Sequence, residues 1–402
     1  MSSVAKTRIL FVDDEPAVLQ VLQLALESMS GEWEMVFVKS GEEALARMGR
    51  QPFDVVVSDM RMPAMNGAQL LNEVWKRYPA TARLILSGFA DEDLVMRCVG
   101  STHQFLQKPF HLNGLKATLQ RIYQLRHRVR SEEILALVTR KGTLPSVPAV
   151  YLQILEALQD PDCPVVQIAE IVAQDPGLTG KILQLVNSAF FGYASEVSNA
   201  YEAVMLLGVG TIRSLALSLH VFSAFQPKAG EGFSVERIWS HSLRVGVLAK
   251  KIIELEQGDQ KLTEQAFTAG MMHDVGKLIL AENLSEVYLQ LTADAQRQKR
   301  QLIDAEKEIL HATHAEAGAY LLDLWGLPTP LVEAIALHHE PAQTNDLEFS
   351  PLTAVHVANV LEHETGTQDP AAVLSQIDLD YLGKIGKAEH LEFWRKELRE
   401  TT

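Results

Sequence analysis

Two hydrophobic patterns divide the chain. Up to about residue 110, short apolar runs rich in β-branched residues alternate with stretches of helical spacing. Arg8–Val12, Glu34–Val38, Asp54–Ser58, Arg83–Ser87 and Gln104–Gln107 read as strands. Helices are expected near 16–29, 41–49, 66–78, 91–100 and from 111 onward, and Pro16 suits a first helical turn, where its missing N–H costs nothing. After Pro148 the pattern is helical almost throughout, punctuated by turns such as Asp160-Pro161, Asp175-Pro-Gly177 and Gly326–Pro330. The predicted architecture is an α/β, doubly wound, five-stranded parallel sheet over residues 6–125, followed by an all-α region over 142–402. A connecting helix and linker occupy 111–141.

In that connector, Leu115, Leu119, Ile122 and Val129 recur at helical steps, and arginines 121, 126, 128 and 130 fill much of the remainder. The stripe fits either a short dimeric coiled coil over 111–139 or packing against its own domain. Lys141–Pro148 then breaks the helix.

The strand ends carry the first candidate chemistry. The first strand runs into Asp13-Asp14, the third into Asp59, the fourth ends in Ser87 and the fifth runs into Lys108. Open α/β sheets bind ligands at the carboxyl edge of their strands. Three carboxylates, a hydroxyl and a lysine at one edge can hold a hard divalent cation and a phosphoryl group together. The order of these residues over 6–125 resembles the receiver domain of bacterial two-component response regulators. The resemblance implies that Asp59 is the phosphoacceptor, with Asp13, Asp14 and Asp59 binding Mg²⁺. It implies that Ser87 and Lys108 contact the phosphoryl group, that Phe105 is an aromatic switch residue, and that the phosphodonor is a sensor histidine kinase.

Nine of the thirteen histidines lie between His220 and His363. Leu144–Val150, Ile168–Leu178, Lys181–Ser188 and Ala203–Gly210 resemble the HDOD domain, a helical output module of bacterial signalling proteins. Met271-Met-His-Asp-Val-Gly-Lys277 resembles the signature of HD-type metal-dependent phosphohydrolases. That likeness implies a metal site at His241, His273 and Asp274, with further ligands from His314, His338 and His339. Imidazole and carboxylate together suit Fe, Mn or Zn. Asn359 stands where the superfamily's final ligating aspartate is expected, and no Gly-Tyr-Pro triplet follows His338-His339. The expectation is therefore a degenerate site in a noncatalytic output that binds another signalling protein. The alternative is a metal-dependent phosphodiesterase or phosphohydrolase acting on a nucleotide or cyclic dinucleotide. His220, His311 and His363 match nothing in these patterns and read as ordinary surface or core histidines.

Charge narrows the partners. Of 36 basic and 51 acidic residues, 18 and 35 fall after residue 141, so the output region is strongly acidic. Nucleic-acid binding is disfavoured, since it calls for a basic face. The N-terminus lacks the apolar core of a secretory signal and no run spans a bilayer, so a cytoplasmic protein is expected without membrane contact. Cys98 and Cys163 have no metal-ligand spacing and read as free thiols.

Overall fold

The computed structural model describes residues 6–78, 80–87, 102, 104–108, 112–128, 149–160, 163–186, 197–225, 227, 233–365 and 370–399. Its contacts divide the chain into two compact units, residues 1–146 with 320–327, and residues 147–319 with 328–402.

The first unit is built on strands β1 (Thr7–Val12), β2 (Trp33–Val38), β3 (Val55–Asp59), β4 (Ala82–Ser87) and β5 (Gln104–Gln107). They pair in the order β2-β1-β3-β4-β5, every pair parallel. Ile9–Phe11 and Val55–Val57 are buried on both faces, which explains why these strands are continuous apolar runs rather than alternating ones. Helices α1 (Pro16–Leu26), α2 (Gly41–Met48), α3 (Gly67–Arg77) and α4 (Leu112–Arg128) are the α-helices among the described residues of this part of the chain. Helix α3 begins with a capping box, in which Asn66 Oδ1 accepts from the Gln69 amide and the Gln69 side chain accepts from the Asn66 amide. The helix expected near 91–100 lies outside the described residues, as do Val129 and the 141–148 linker.

Leu115, Leu119 and Ile122 of α4 are almost fully buried within the single chain. That part of the apolar stripe is already used in packing, so the dimeric seam it was also consistent with is not available from these three residues.

From residue 149 on, the described elements are helical: α5 (Ala149–Ala157), α6 (Val165–Ala173), α7 (Pro176–Val186), α8 (Ala200–Leu207), α9 (Val209–Ala224), α10 (Val235–Leu255), α11 (Gln260–Met272), α12 (Val275–Arg297), α13 (Leu302–Leu310), α14 (His314–Leu324), α15 (Thr329–Leu337), α16 (Pro351–Thr365), α17 (Pro370–Leu374), α18 (Leu379–Lys384) and α19 (Leu391–Arg399). Helix α11 is central and packs along α10, α15 and α16, with every residue from Ala266 to Met272 buried. Such all-round burial marks a core helix rather than an amphipathic surface one. No single helix among the described residues is long and apolar enough to cross a membrane.

Candidate functional site

The strand order explains the first site. It reverses between β1 and β3, which creates the crevice where open α/β sheets bind ligands. Val12 is in register with Ser58, so Asp13 and Asp59 emerge side by side at that crevice. Both are buried, and Asp14 is half-buried beside them. Each has one oxygen anchored by the backbone: Asp13 Oδ1 accepts from the Glu15 amide at 2.9 Å, and Asp59 Oδ2 from the Arg61 amide at 2.7 Å. The other oxygens face Lys108, whose Nζ forms an ion pair with Asp59 and lies 3.3 Å from Asp13 Oδ2.

Burial raises the pKa of Asp13, with the neighbouring Asp59 charge adding to it, against the opposing pull of the Glu15 amide and Lys108. Burial would lower that of Lys108, but its bonds to Asp59 and Asp13 outweigh burial and raise it. Two crowded carboxylates around one ammonium are an environment that favours further positive charge, so the donor set fits a hard divalent ion. Ser87 is in register with Gln107, the residue before Lys108, which brings the β4 and β5 ends to the same edge. The side chains of Ser87 and Phe105 lie outside the described residues.

The second site lies in the helical unit, and close helix crossings build it. A Cβ on Gly270 of α11 would sit 2.6 Å from the Gly246 Cα of α10. One on Gly276 of α12 would sit 1.8 Å from the His314 carbonyl oxygen. Only glycine permits these approaches, which draw together His241 on α10, His273 at the end of α11, Asp274 at the start of α12 and His314 at the start of α14. Helix α15 ends at His338-His339, and α16 brings Asn359.

The hydrogen bonds fix the imidazole tautomers. His273 Nδ1 lies 2.7 Å from the Gly270 carbonyl and His338 Nδ1 2.7 Å from the Ile335 carbonyl. His241 Nδ1 lies 2.5 Å from Glu362 and His314 Nδ1 2.7 Å from Glu306. Carbonyl and carboxylate oxygens only accept, so each Nδ1 carries the proton and, in a neutral ring, each Nε2 presents a lone pair.

These lone pairs converge. His241 Nε2 is 3.2 Å from His273 Nε2 and 3.0 Å from Asn359 Oδ1, and His339 Nε2 is 3.2 Å from His314 Nε2. His338 Nε2 is fully buried with no hydrogen-bond partner among the described residues. Facing lone pairs and an orphaned buried nitrogen call for a cation. The arrangement, with the outer nitrogen of each ring held by an oxygen, is the support that metal-ligating histidines normally receive. His356 shows the contrast: its Nδ1 donates to the His338 carbonyl and its Nε2 accepts from the Asp378 amide, so both nitrogens are satisfied structurally.

Ligand atoms of His241, His273 and Asp274 lie within 4.8 Å of one another, and so do those of His314, His338 and His339. Asp274 touches both sets, its Oδ2 at 3.5 Å from His273 and 3.7 Å from His241, its Oδ1 at 3.3 Å from His314. Lys277 Nζ also sits 2.6 Å from Oδ2. Burial drives the pKa of His273 down to about 3 and those of His338 and His339 well below the ordinary value, keeping these rings neutral and able to ligate. For His314 burial acts downward too, but the Glu306 and Asp274 carboxylates overcome it and raise the pKa. Asp274 is held well below the ordinary carboxylate value, because the surrounding imidazoles and Lys277 overcome its burial.

Three functional side chains escaped the sequence reading. Glu362 and Glu306 are carboxylates that accept from His241 and His314, so Asp274 is not the only carboxylate around the cluster. His363, which read as an ordinary histidine, stacks on His241 with ring centroids 4.5 Å apart. Glu362 is one turn beyond Asn359 on α16, a spacing the sequence displays. Glu306 lies on α13, eight residues before His314, and leaves no sequence signal.

Comparison with known proteins identifies two domains. Residues 9–120 match the response regulator receiver domain and residues 144–341 the HDOD domain. Asn359, Glu362 and His363 therefore lie beyond the matched HDOD segment. An uncharacterized protein of Treponema pallidum is 28% identical over 255 residues, 60% of this chain and 47% of its own length. The hydrogenase transcriptional regulatory protein HoxA of Cupriavidus necator is 34% identical over 25% of this chain and 21% of its own. The chain thus spans less than half the length of these relatives. A crystal structure from Shewanella amazonensis, given a provisional phosphohydrolase name, covers 68% of this chain and 95% of its own, at 25% identity and a TM-score of 0.51. With a receiver domain at its N-terminus and an HDOD domain at its C-terminus, the chain is a response regulator with an HDOD output.

Proposed function

We propose that Asp59 accepts a phosphoryl group from a sensor histidine kinase, and that this event controls an HDOD output which binds another signalling protein. The observation that carries the reading is the Lys108 ammonium set between the buried carboxylates of Asp59 and Asp13 at the sheet's switch point. One Asp59 oxygen attacks phosphorus while the bond to the donor's leaving group breaks, and Lys108 stabilises the charge that develops on the phosphoryl oxygens. Asp13, Asp14 and Asp59 would hold the Mg²⁺ that neutralises the incoming group. Ser87 and Phe105 take the roles of phosphoryl contact and aromatic switch in this proposal. The added charge then draws on Lys108, which must leave one carboxylate to serve the phosphate, and that rearrangement is the signal.

In the output, His241, His273, Asp274, His314, His338 and His339 would hold a transition metal that locks α10, α11, α12, α14 and α15 together at one point. Asn359, an uncharged amide where a further anionic ligand would strengthen a second cation, supports a binding rather than a hydrolytic role.

Acetyl phosphate with Mg²⁺ tests the first step. The wild type should gain one phosphoryl group and Asp59→Asn none. Equal labelling of that variant would overturn the assignment. Elemental analysis of the wild type against His273→Ala/Asp274→Ala tests the metal, which should be lost from the double variant.

A further inference from the structure

Helix α16, which brings Asn359, Glu362 and His363 to the histidine cluster, lies beyond the matched HDOD segment, and so does α19, which is fastened to it. Glu362 and Glu364 are two positions apart on α16, a step of roughly 200° around a helix axis. One side of its last turn carries Glu362, bonded to His241 Nδ1 and to Arg244. The opposite side carries Glu364. A carboxylate in a last turn meets the negative end of the helix dipole, and Glu364 is buried as well. Cations are needed to keep it there.

Two guanidinium groups of α19 supply them. Arg395 Nε lies 3.0 Å from Glu364 Oε2 and 3.1 Å from Oε1, and its Nη2 also donates to Oε1. Arg399 Nη2 donates to the same Oε1 at 2.6 Å. Together they hold the Glu364 pKa below the ordinary carboxylate value, Arg395 having the larger effect, in spite of burial. A planar fork of donors fixes a carboxylate in direction as well as in distance.

Helix α19 is seated in turn on α10. Trp394 and Leu398, one helical turn apart, are both buried, and Trp394 Nε1 donates at 2.8 Å to Glu256, just past the end of α10. Lys387 pairs with the same carboxylate, and His390 Nδ1 lies 2.6 Å from it. The C-terminal segment thus has two anchors. The Glu256 anchor is roughly 20 Å along α10 from His241. The Glu364 anchor adjoins His363.

We propose that Arg395 and Arg399 are positioning residues for the histidine cluster: through Glu364 they set the last turn of α16, and with it the place where Glu362 and His363 meet His241. The Glu256 anchor holds the segment on the molecule without setting that contact. The proposal rests on the metal-centre reading only for its metal-affinity readout. The bond from His241 to Glu362 is a readout that needs no metal.

The test is nuclear magnetic resonance of the chelator-treated full chain with isotope-labelled histidine. The His241 Nδ1 proton is identified by its absence in His241→Gln. In Arg395→Ala/Arg399→Ala this proton should exchange with water about tenfold faster or more, and metal affinity, measured by dye competition, should fall by about tenfold, as it does when an outer partner of a ligand is disturbed. Arg395→Lys/Arg399→Lys, which keeps the charge and loses the fork, should recover part of both. Lys387→Ala, at the remote anchor, should lower the melting temperature and leave both readouts at wild-type values. Glu364→Gln keeps the shape of the side chain, and should reproduce the double arginine variant even if that variant folds poorly. Wild-type exchange and metal affinity in Glu364→Gln would overturn the proposal, and so would an equal effect of Lys387→Ala, which would mark general loosening. A wild type that takes up no metal but shows the arginine-dependent exchange would sink the metal reading alone.

Discussion

Glu306 is the most informative residue to change, because one fully buried carboxylate holds three donors. Its Oε2 accepts from the His314 amide at 2.9 Å and from His314 Nδ1 at 2.7 Å, and its Oε1 accepts from the Tyr288 hydroxyl at 2.6 Å. In Glu306→Gln the amide oxygen can keep the two His314 contacts while the Tyr288 hydroxyl turns to accept from the new NH₂. The bonds survive but lose their ionic character, worth about 1 kcal/mol for each of the two His314 bonds, so roughly 2 kcal/mol in all. Glu306→Ala strands all three donors in the interior, at about 1–3 kcal/mol apiece before any cavity cost, so a loss near 5 kcal/mol is expected. The ring of His314 also loses its orientation, and removing such an outer partner typically costs 10–100-fold in metal affinity.

Denaturant titration of chelator-treated protein measures the stability, and competition with a metal-binding dye measures the affinity. The order wild type, Gln, Ala should hold in both. If Glu306→Gln matched the wild type in stability and metal affinity, the carboxylate would be only a space-filler, and the orientation argument would fall with it.

Three further outcomes are expected. Gly276→Ala should force α12 away from the His314 carbonyl, costing about 1–3 kcal/mol by overpacking, and should lower metal content with it; a melting temperature equal to wild type would show that the crossing has slack. Chelator-treated protein should weaken as pH falls below 6.5 towards about 3, because the unfolded chain protonates His273 near 6.5 and the folded chain does not until far lower, with His338 and His339 acting in the same sense. His314, with its raised pKa, gives stability that is full below 6.5 and is lost as pH rises through the raised value, but one group opposes three, so a melting temperature that stays flat from neutral pH down to pH 5 would refute the assignment. Asn359→Asp should raise metal occupancy from about one ion per chain towards two, since it adds a carboxylate to the inner shell; unchanged elemental analysis would rule out the charge reasoning.

The sheet was legible in the sequence because its strands are buried on both faces and end in chemically distinctive residues. Once Val12 is in register with Ser58, Asp13 and Asp59 have no choice but to meet. The histidine centre was legible in part. His241, His273, Asp274, His314, His338 and His339 were found as residue types in a familiar spacing. What was not legible was the support behind them. Glu306 and Glu362 act through contacts 8 and 121 residues away from the histidines they hold; only the spacing of Glu362 from Asn359 leaves a local trace, and Glu306 leaves none. The stripe on α4 failed to decide between partners for a related reason: an apolar helix face records that it will be covered, not by what.

Glu362 also changes the charge argument about the centre. The amide at Asn359 suggested that anionic support had been lost. The structure places Glu362 one turn away on the same helix, bonded to the outer nitrogen of the histidine that Asn359 touches on the inner side. Its charge acts on the His241 ring, and Arg244 at 2.6 Å offsets it. Asp274 is similarly offset by Lys277 at 2.6 Å. Of three carboxylates around the centre, only that of Glu306 lacks a Lys or Arg counter-charge in the described contacts, so the surroundings carry a net charge near minus one. A single divalent ion inverts that to plus one. A second would raise it to plus three in a buried site, where repulsion between unscreened cations is at its strongest. In the proposed metal site this balance favours one ion over two. A mononuclear site in this setting is better suited to fixing helices and meeting a ligand than to clamping both the attacking and leaving oxygens of a phosphate ester, a task that takes paired metals.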